Sequence, residues 1–277
     1  MFGIRRQGAE STSDEALHEE LSALLDRKTS VESLATLVKA MDPPEKAAVV
    51  LSEVAIGLDS SVFLKLGDPR YSADISDYLE SEHKGPLILP GQAIQEFWNN
   101  HLGAVLTLSQ TLKKKFESFS IEANKIDDRF GELAKDMNDL LDRFTRDYGH
   151  LLEEKTLKAT LAVLQSLQKR ALVPYVPRTR FTDIALQRKR TKTPPGFKDD
   201  KENFGDFFIW VDFLYGLLRA KQTNKTFTHA VMVTNDQKPD WSRKGVAHPV
   251  LTAEVDALVR CTFEVWSLDE LHKAITA

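Results

Sequence analysis

The sequence has a single cysteine, no long apolar run and no excess of positive charge. Cys261 stands alone, which excludes an intramolecular disulfide and a thiolate metal cluster and favours a reducing compartment. The longest apolar stretches, such as residues 207–211, are too short to span a bilayer, and residues 1–6 lack the apolar segment of a signal peptide. We therefore expect a globular protein of the cytoplasm that has no membrane partner.

Net charge and hydrophobic content limit the classes of protein further. The net charge is −4, so whole-chain basicity does not indicate nucleic-acid binding, and any such binding must come from a local patch. With 42% hydrophobic residues, the 277-residue chain can bury a full core and has room for a second helical region.

The N-terminal part of the chain predicts helices. Apolar residues recur at helical spacing from Leu17 to Leu25 and again from Val31 to Val38. Residues 1–12 have no such period, and we expect a frayed end there. The sequence thus predicts a helical extension over residues 1–50, followed by the main domain over residues 51–277.

Four short apolar runs have the length and composition of strands: residues 54–58, 86–90, 230–234 and 263–266. Residues 54–58 form a continuous apolar run, and residues 230–234 are as clear a candidate, which suits strands buried on both faces of a parallel sheet. Helical stretches separate the runs. The pattern predicts an α/β fold with a parallel sheet.

A long proline-free segment lies between the second and third strand candidates. Apolar residues from Ile126 to Phe144 step by fours and threes, which is a heptad-like, coiled-coil-like seam. One helix of this length would extend far beyond a compact domain, so we expect two or three antiparallel helices. The segment predicts a helical insertion over about residues 100–172. We favour a packing module, with a protein-binding arm or a substrate clamp as the alternatives.

Acidic residues stand where a parallel sheet would bring them to one edge. Asp59 and Asp236 follow strand candidates directly. Glu96 lies in the first turn of the helix expected after the second strand, and Asp206 starts a strongly apolar helix. Ligands of open α/β sheets bind outside the carboxyl ends of the strands, and clustered carboxylates indicate Mg²⁺ or Mn²⁺. Metal-activated hydrolysis of a phosphodiester is the chemistry that follows.

Each of these acids also has an ordinary explanation. Asp206 would serve as a helix N-cap, and Asp59 and Asp236 as turn residues. Glu96 would lie on a solvated helix face. Spacing alone therefore leaves a nuclease as one option among several.

A basic segment precedes the Asp206 helix. Residues 178–201 have a poor hydrophobic period, and Pro194, Pro195 and Gly196 indicate a loop. A solvated loop and a nucleic-acid contact are about equally supported by this composition. The residues that would contact phosphates are Arg188, Lys189, Arg190, Lys192, Lys198 and Lys201.

The strings around the acids resemble one family when taken in order. They are residues 56–61 (IGLDSS), 89–97 (LPGQAIQEF), 194–199 (PPGFKD), 205–210 (GDFFIW) and 233–241 (VTNDQKPDW). Together they resemble the PIN-like superfamily, and in particular its bacterial PIN-like group with a long helical insertion. The resemblance extends from about Val54 to the C-terminus.

This resemblance implies a three-layer α/β/α sandwich with a central parallel sheet and a metal-dependent endonuclease activity, usually on RNA. It implies that Asp59, Glu96, Asp206 and Asp236 are the catalytic, metal-binding carboxylates. Asp199 and Asp240 would be accessory ligands or orienting partners. Ser60, Thr234 and Asn235 would support the site.

The sequence-based hypothesis is therefore a Mg²⁺- or Mn²⁺-dependent endonuclease that cleaves RNA. The alternatives are a structure-specific DNA nuclease and an inactive PIN-like module that binds a partner. The resemblance also suggests a toxin or phage-defence role. The oligomeric state is left open.

Overall fold

The computed structural model describes residues 4–42, 50–63, 65–102, 154–199, 203–223, 225–236 and 238–277, with isolated helical positions between residues 115 and 146. Most of the predicted insertion, and the coiled-coil-like seam within it, lies outside the described residues, as does Lys201. No described helix is both long enough and apolar enough to cross a membrane.

A four-stranded parallel sheet forms the centre of the fold. Its strands are β1 (Ala55–Leu58), β2 (Leu87–Ile88), β3 (His229–Val233) and β6 (Thr262–Trp266). They lie in the order β2-β1-β3-β6, and each neighbouring pair is parallel. Every residue of the first three is buried, as the continuous apolar runs predict. The predicted α/β class with a central parallel sheet is confirmed.

Helices flank this sheet, and a small antiparallel hairpin of β4 (Ser242–Arg243) and β5 (Val246–Ala247) follows β3. The helices are α1 (Ile4–Leu25), α2 (Ser33–Met41), α3 (Ser60–Phe63), α4 (Ser72–Asp77), α5 (Gly91–Glu96), α6 (Glu154–Leu167), α7 (Arg178–Arg190), α8 (Gly205–Gln222), α9 (Pro249–Val259) and α10 (Leu268–Thr276).

The central helix α8 approaches the sheet closely at two glycines. A Cβ on Gly57 of β1 would lie 2.5 Å from Cδ2 of Phe213, and one on Gly216 would lie 2.6 Å from Cγ2 of Ile88. Any larger residue at either position would push helix and sheet apart. Asp206 lies in the first turn of α8, so this close packing also fixes the position of Asp206 relative to the strand ends.

Two predictions about local structure were wrong. The frayed N-terminus is not observed from Ile4 onward, because α1 extends upstream of the apolar spacing. The basic segment is a helix, α7, over its first half. Phe181, Ile184, Ala185 and Arg188 form its buried face. An arginine occupies one of the core positions, so the hydrophobic period is hidden in the sequence.

Glu254 of α9 holds several helices together from inside the core. Its side chain is completely buried. Oε1 accepts hydrogen bonds from Nη2 of Arg27 at 2.6 Å and from Nη1 of Arg188 at 2.7 Å, and Oε2 accepts one from Nε1 of Trp210 at 2.8 Å. One carboxylate therefore links the end of α1 with α7, α8 and α9.

Replacing Glu254 by Gln should destabilise the protein by roughly 3–5 kcal/mol, because it leaves the buried Arg188 without its counter-charge. Urea unfolding followed by circular dichroism measures this loss. Glu82→Gln, at an exposed position, is the matched control and should shift the unfolding free energy by less than about 0.5 kcal/mol. Equal unfolding midpoints for the two variants would contradict the anchoring role.

Candidate functional site

The carboxyl ends of β1 and β3 open onto an acidic cavity of about 360 Å³. Asp59 follows β1, and its backbone N–H donates to the carbonyl of Val233 at 3.0 Å, which fixes it beside the end of β3. Acidic residues from distant parts of the chain line the cavity together: Asp59, Glu96, Asp199, Asp206 and Asp236. All four principal carboxylates that the sequence indicated therefore share one cavity with Asp199.

Hydroxyl and amide donors hold the Asp59 carboxylate in one orientation. Oδ1 accepts a hydrogen bond from the N–H of Ser60 at 2.6 Å. Oδ2 accepts from the hydroxyl of Ser61 at 2.6 Å and from that of Thr234 at 2.7 Å. These donors stabilise the ionised carboxylate, and they place Ser60 and Thr234 in contact with the site. Ser61 supplies a further hydroxyl donor to the same carboxylate.

The turn after β3 is tied to the same network. The N–H of Asn235 donates to the hydroxyl of Ser61 at 3.0 Å, and the N–H of Asp236 donates to that of Thr234 at 3.0 Å. Asp236 in turn accepts at Oδ1 from the N–H of Lys238 at 2.8 Å. Short polar side chains thus set the turn that directs Asp236 into the cavity.

Glu96 reaches the cavity from the end of α5, not from the first helical turn that the sequence suggested. Its Oε1 accepts from Nε2 of Gln92 at 3.0 Å, and it lies so close to α8 that a Cβ on Gly205 would stand 2.1 Å from Oε1. Burial raises the pKa of Glu96, and the charges of Asp59 and Asp199 raise it further.

A buried aspartate that the sequence analysis did not identify positions α5. Asp212 of α8 is fully buried and accepts from the N–H of Gln92 at 2.9 Å and from the N–H of Val176 at 3.0 Å. Arg178 adds a two-point ion pair at 2.8 and 2.9 Å. The sequence does contain a signal for this buried aspartate, because Asp212 interrupts an otherwise apolar run within α8. A buried carboxylate needs such partners.

Asp206 lies in the first turn of α8, where Phe204 is the N-cap, so the N-cap explanation for Asp206 is wrong. Its Oδ2 instead accepts from Nε1 of Trp241 at 3.3 Å and lies 3.1 Å from Nζ of Lys238. Burial raises the pKa of Asp206 to about 7, and the nearby Asp199 adds to the effect while Lys238 opposes it. The ring of Trp241 is buried, so it is not exposed for stacking on a nucleic-acid base.

Lys238 is the second functional candidate that the sequence did not indicate. Its ammonium lies 2.5 Å from Asp199, 3.0 Å from Asp236 and 3.1 Å from Asp206. Burial alone would lower the pKa of Lys238, but the hydrogen bond to Asp199 and the charges of the other two carboxylates raise it above its usual range. The lysine is therefore a fixed positive charge within the acidic cluster.

Asp240 does not line the cavity, which favours the orienting role over that of an accessory ligand. It is completely buried, and its Oδ2 accepts from the N–H of Gly196 at 3.0 Å and from that of Lys198 at 3.3 Å. Asp240 therefore fixes the turn at residues 196–198, and this turn places Asp199 in the cavity.

The basic residues of the 178–201 segment have different environments. Arg188 is buried against Glu254 and is withdrawn as a phosphate contact, because it faces the core. Lys189 donates to the carbonyl of Asn203 at 2.7 Å. The remaining described members are exposed: Arg190, Lys192 and Lys198.

The donor set fits a hard divalent cation, since the cavity offers carboxylate oxygens and is lined by no cysteine or histidine among the described residues. Among those residues, no three acidic, histidine or cysteine side chains are already arranged around a common point for a metal ion. The ammonium of Lys238 lies among three of the carboxylates. Binding of an ion therefore requires the carboxylates to rotate toward it.

Residues 178–251 match the model of a family described as a PIN like domain. The match includes Asp199, Asp206 and Asp236, and the parallel sheet flanked by helices agrees with it. This match confirms the resemblance to the PIN-like superfamily over residues 178–251, and PIN-like domains are generally nucleases. No curated protein and no solved structure gives a match to the chain.

The raised pKa of Asp206 predicts a pH-dependent effect of Asp206→Asn on stability. The folded-state pKa is about 7 and the ordinary value is 3.8, so the stability linked to this proton is complete below about pH 4 and is lost as the pH rises through 7. Asn carries no such proton. In EDTA, we expect the variant to gain on the order of 1–3 kcal/mol relative to wild type between pH 5 and pH 8.

Urea unfolding of both proteins at the two pH values measures this gain. Asp183→Asn, on the exposed surface of α7, is the control and should give a pH-independent difference. The same unfolding free-energy difference for Asp206→Asn at pH 5 and pH 8 would mean that Asp206 ionises normally.

Proposed function

We propose that the protein is a Mg²⁺- or Mn²⁺-dependent endonuclease that cleaves RNA. The observation that carries this proposal is the convergence of five carboxylates on one cavity at the carboxyl ends of β1 and β3. Crowded carboxylates repel one another, and both Glu96 and Asp206 have raised pKa values. A divalent ion relieves this repulsion and fits the hard oxygen donors.

Asp59, Glu96, Asp206 and Asp236 would hold the ion, with Asp199 beside them. When bound, the ion lowers the pKa of a water molecule and neutralises charge on a phosphate group. Asp59 is already oriented by three donors, so it presents its remaining lone pairs in a fixed direction. Glu96, whose pKa is raised by burial, is suited to accept a proton from an attacking water. Asp212 acts as a positioning residue for Glu96.

The substrate class is part of the proposal. Hydrolysis through metal-held carboxylates serves RNA and DNA equally well, and RNA is proposed because the sequence resemblance to the PIN-like superfamily implies it. A structure-specific DNA nuclease and an inactive binding module are the alternative results of the experiment below. A cytoplasmic location stays a prediction.

Asp236→Asn and Asp59→Asn should each lower the rate of Mn²⁺-dependent cleavage of single-stranded RNA at least about 100-fold, because each removes a charged ligand. The assay compares labelled single-stranded RNA, single-stranded DNA and flapped DNA of the same sequence. Asp183→Asn, an exposed carboxylate on α7, is the matched control and should keep the wild-type rate. Circular dichroism verifies that all variants are folded.

Each outcome of this assay has one meaning. Cleavage of DNA but not RNA would replace the proposed substrate by the first alternative. Absence of any cleavage by the wild-type protein with Mn²⁺ or Mg²⁺ would favour the inactive module. A wild-type rate for Asp236→Asn would show that the site is wrongly assigned.

A second cavity, of about 770 Å³, adjoins the acidic one and shares Asp236 with it. Basic residues are among those that line it: Lys65 between β1 and β2, and Arg243 and Lys244 in the β4–β5 hairpin. Trp266, at the end of β6, contributes a half-buried ring. We propose that the backbone phosphates next to the scissile bond lie here, where cations stand beside the carboxylates that act on it.

Substitution of these basic residues should weaken substrate binding more than it slows cleavage. We expect Arg243→Gln with Lys65→Gln to raise KM for RNA several-fold and to lower the salt dependence of binding by about one unit of slope per lost contact. Arg190→Gln with Lys198→Gln tests the basic 178–201 segment with the same change in charge. If only the second pair raises KM, the phosphates lie on that segment and not in the cavity beside Asp236.

A further inference from the structure

Lys238 has no role among the metal ligands, yet it stands in the middle of them. Its Nζ contacts one oxygen of each of three carboxylates: Oδ1 of Asp199, Oδ2 of Asp206 and Oδ2 of Asp236. A lysine ammonium has three N–H donors and no acceptor. Each donor therefore has one carboxylate partner, and the hydrogen-bonding capacity of the ammonium is used completely.

The surroundings keep the ammonium in this place. The backbone N–H of Lys238 is bonded to Oδ1 of Asp236, so the residue is held at both ends of its side chain. The partner carboxylates are poorly hydrated, with side-chain exposures of 6% for Asp199, 15% for Asp206 and 20% for Asp236. Withdrawal of the ammonium would leave three nearby negative charges with little water to screen them.

The cluster is consequently divided into two parts. Lys238 occupies the side formed by Asp199, Asp206 and Asp236. Asp59 and Glu96 line the other side of the same cavity and are bonded to hydroxyl and amide donors rather than to this lysine. Lys238 contacts one oxygen of each of its three carboxylate partners, and the other oxygen of each does not contact the ammonium.

A second divalent ion on the Lys238 side would require the oxygens that the ammonium uses. Each of these oxygens already contacts the ammonium, so an ion bound to the same oxygens would compete with Lys238 for them. An ion there would also stand a few ångströms from a fixed positive charge. One ion on the Asp59 and Glu96 side avoids both costs.

We propose that Lys238 takes the place of a second metal ion, so that this site binds one divalent cation per chain. The inference rests on the proposed function, since it assumes that the cavity binds metal. It adds that the lysine supplies the second positive charge from within the chain, as a positioning residue for Asp199, Asp206 and Asp236. Loss of the ammonium would open a second metal position between the same carboxylates.

Titration of the full chain with Mn²⁺, followed by the electron paramagnetic resonance signal of the free ion, counts the bound ions. We expect one Mn²⁺ per chain for wild type, one for Lys238→Arg, which keeps a positive charge, and two for Lys238→Met. Lys225→Met, at an exposed lysine, is the control and should bind one.

The double variant Asp199→Asn with Lys238→Met removes one negative and one positive charge together, and it also should bind two ions. If the single variant Lys238→Met is unstable, the double variant replaces it in the titration, because the double variant keeps the net charge of the wild-type cluster. Two Mn²⁺ in wild type, or one in both variants that lack the lysine, would overturn the role of Lys238. If Asp236→Asn still abolished cleavage in that case, the proposed nuclease function would stand without it.

Discussion

The structure depends on electrostatic repulsion between carboxylates that the fold forces into one partly buried cavity. Asp59, Glu96, Asp199, Asp206 and Asp236 come from separate elements, and they meet because parallel strands end at the same edge. Their charges would drive the cavity open if nothing opposed them. Lys238 opposes part of the repulsion, while burial first and neighbouring carboxylates second keep the pKa values of Glu96 and Asp206 raised.

Two buried acids outside the cavity make this crowding possible. Glu254 ties α1, α7, α8 and α9 together, and Asp212 ties α8 to the start of α5. Both are matched by arginines and further donors, so they stabilise the core that carries the active-site acids. The neutralised carboxylates, Glu254 and Asp212, therefore stabilise the fold, and the incompletely neutralised ones line the cavity where we propose catalysis. The difference between the two groups is that arginines neutralise Glu254 and Asp212, whereas the donors to Asp59 are uncharged.

The sequence predicted the sheet and the four principal acids because these features are local. Continuous apolar runs define β1 and β3, and Asp59 and Asp236 follow those runs directly. Arg188 was misjudged because a buried arginine with a distant partner has the same local sequence as an exposed one. Lys238 was overlooked for the same reason: its carboxylate partners lie up to 39 residues away, and only the fold brings them together.

The position of bound metal tests the central claim most directly. A crystal soaked in Mn²⁺ and measured at the manganese absorption edge would reveal it by anomalous density. We predict a peak in the acidic cavity, about 2.0–2.2 Å from oxygens of Asp59, Glu96 and Asp236. Carboxylates that face separate solvent regions, with no peak between Asp59 and Asp236, would contradict a metal-dependent nuclease site.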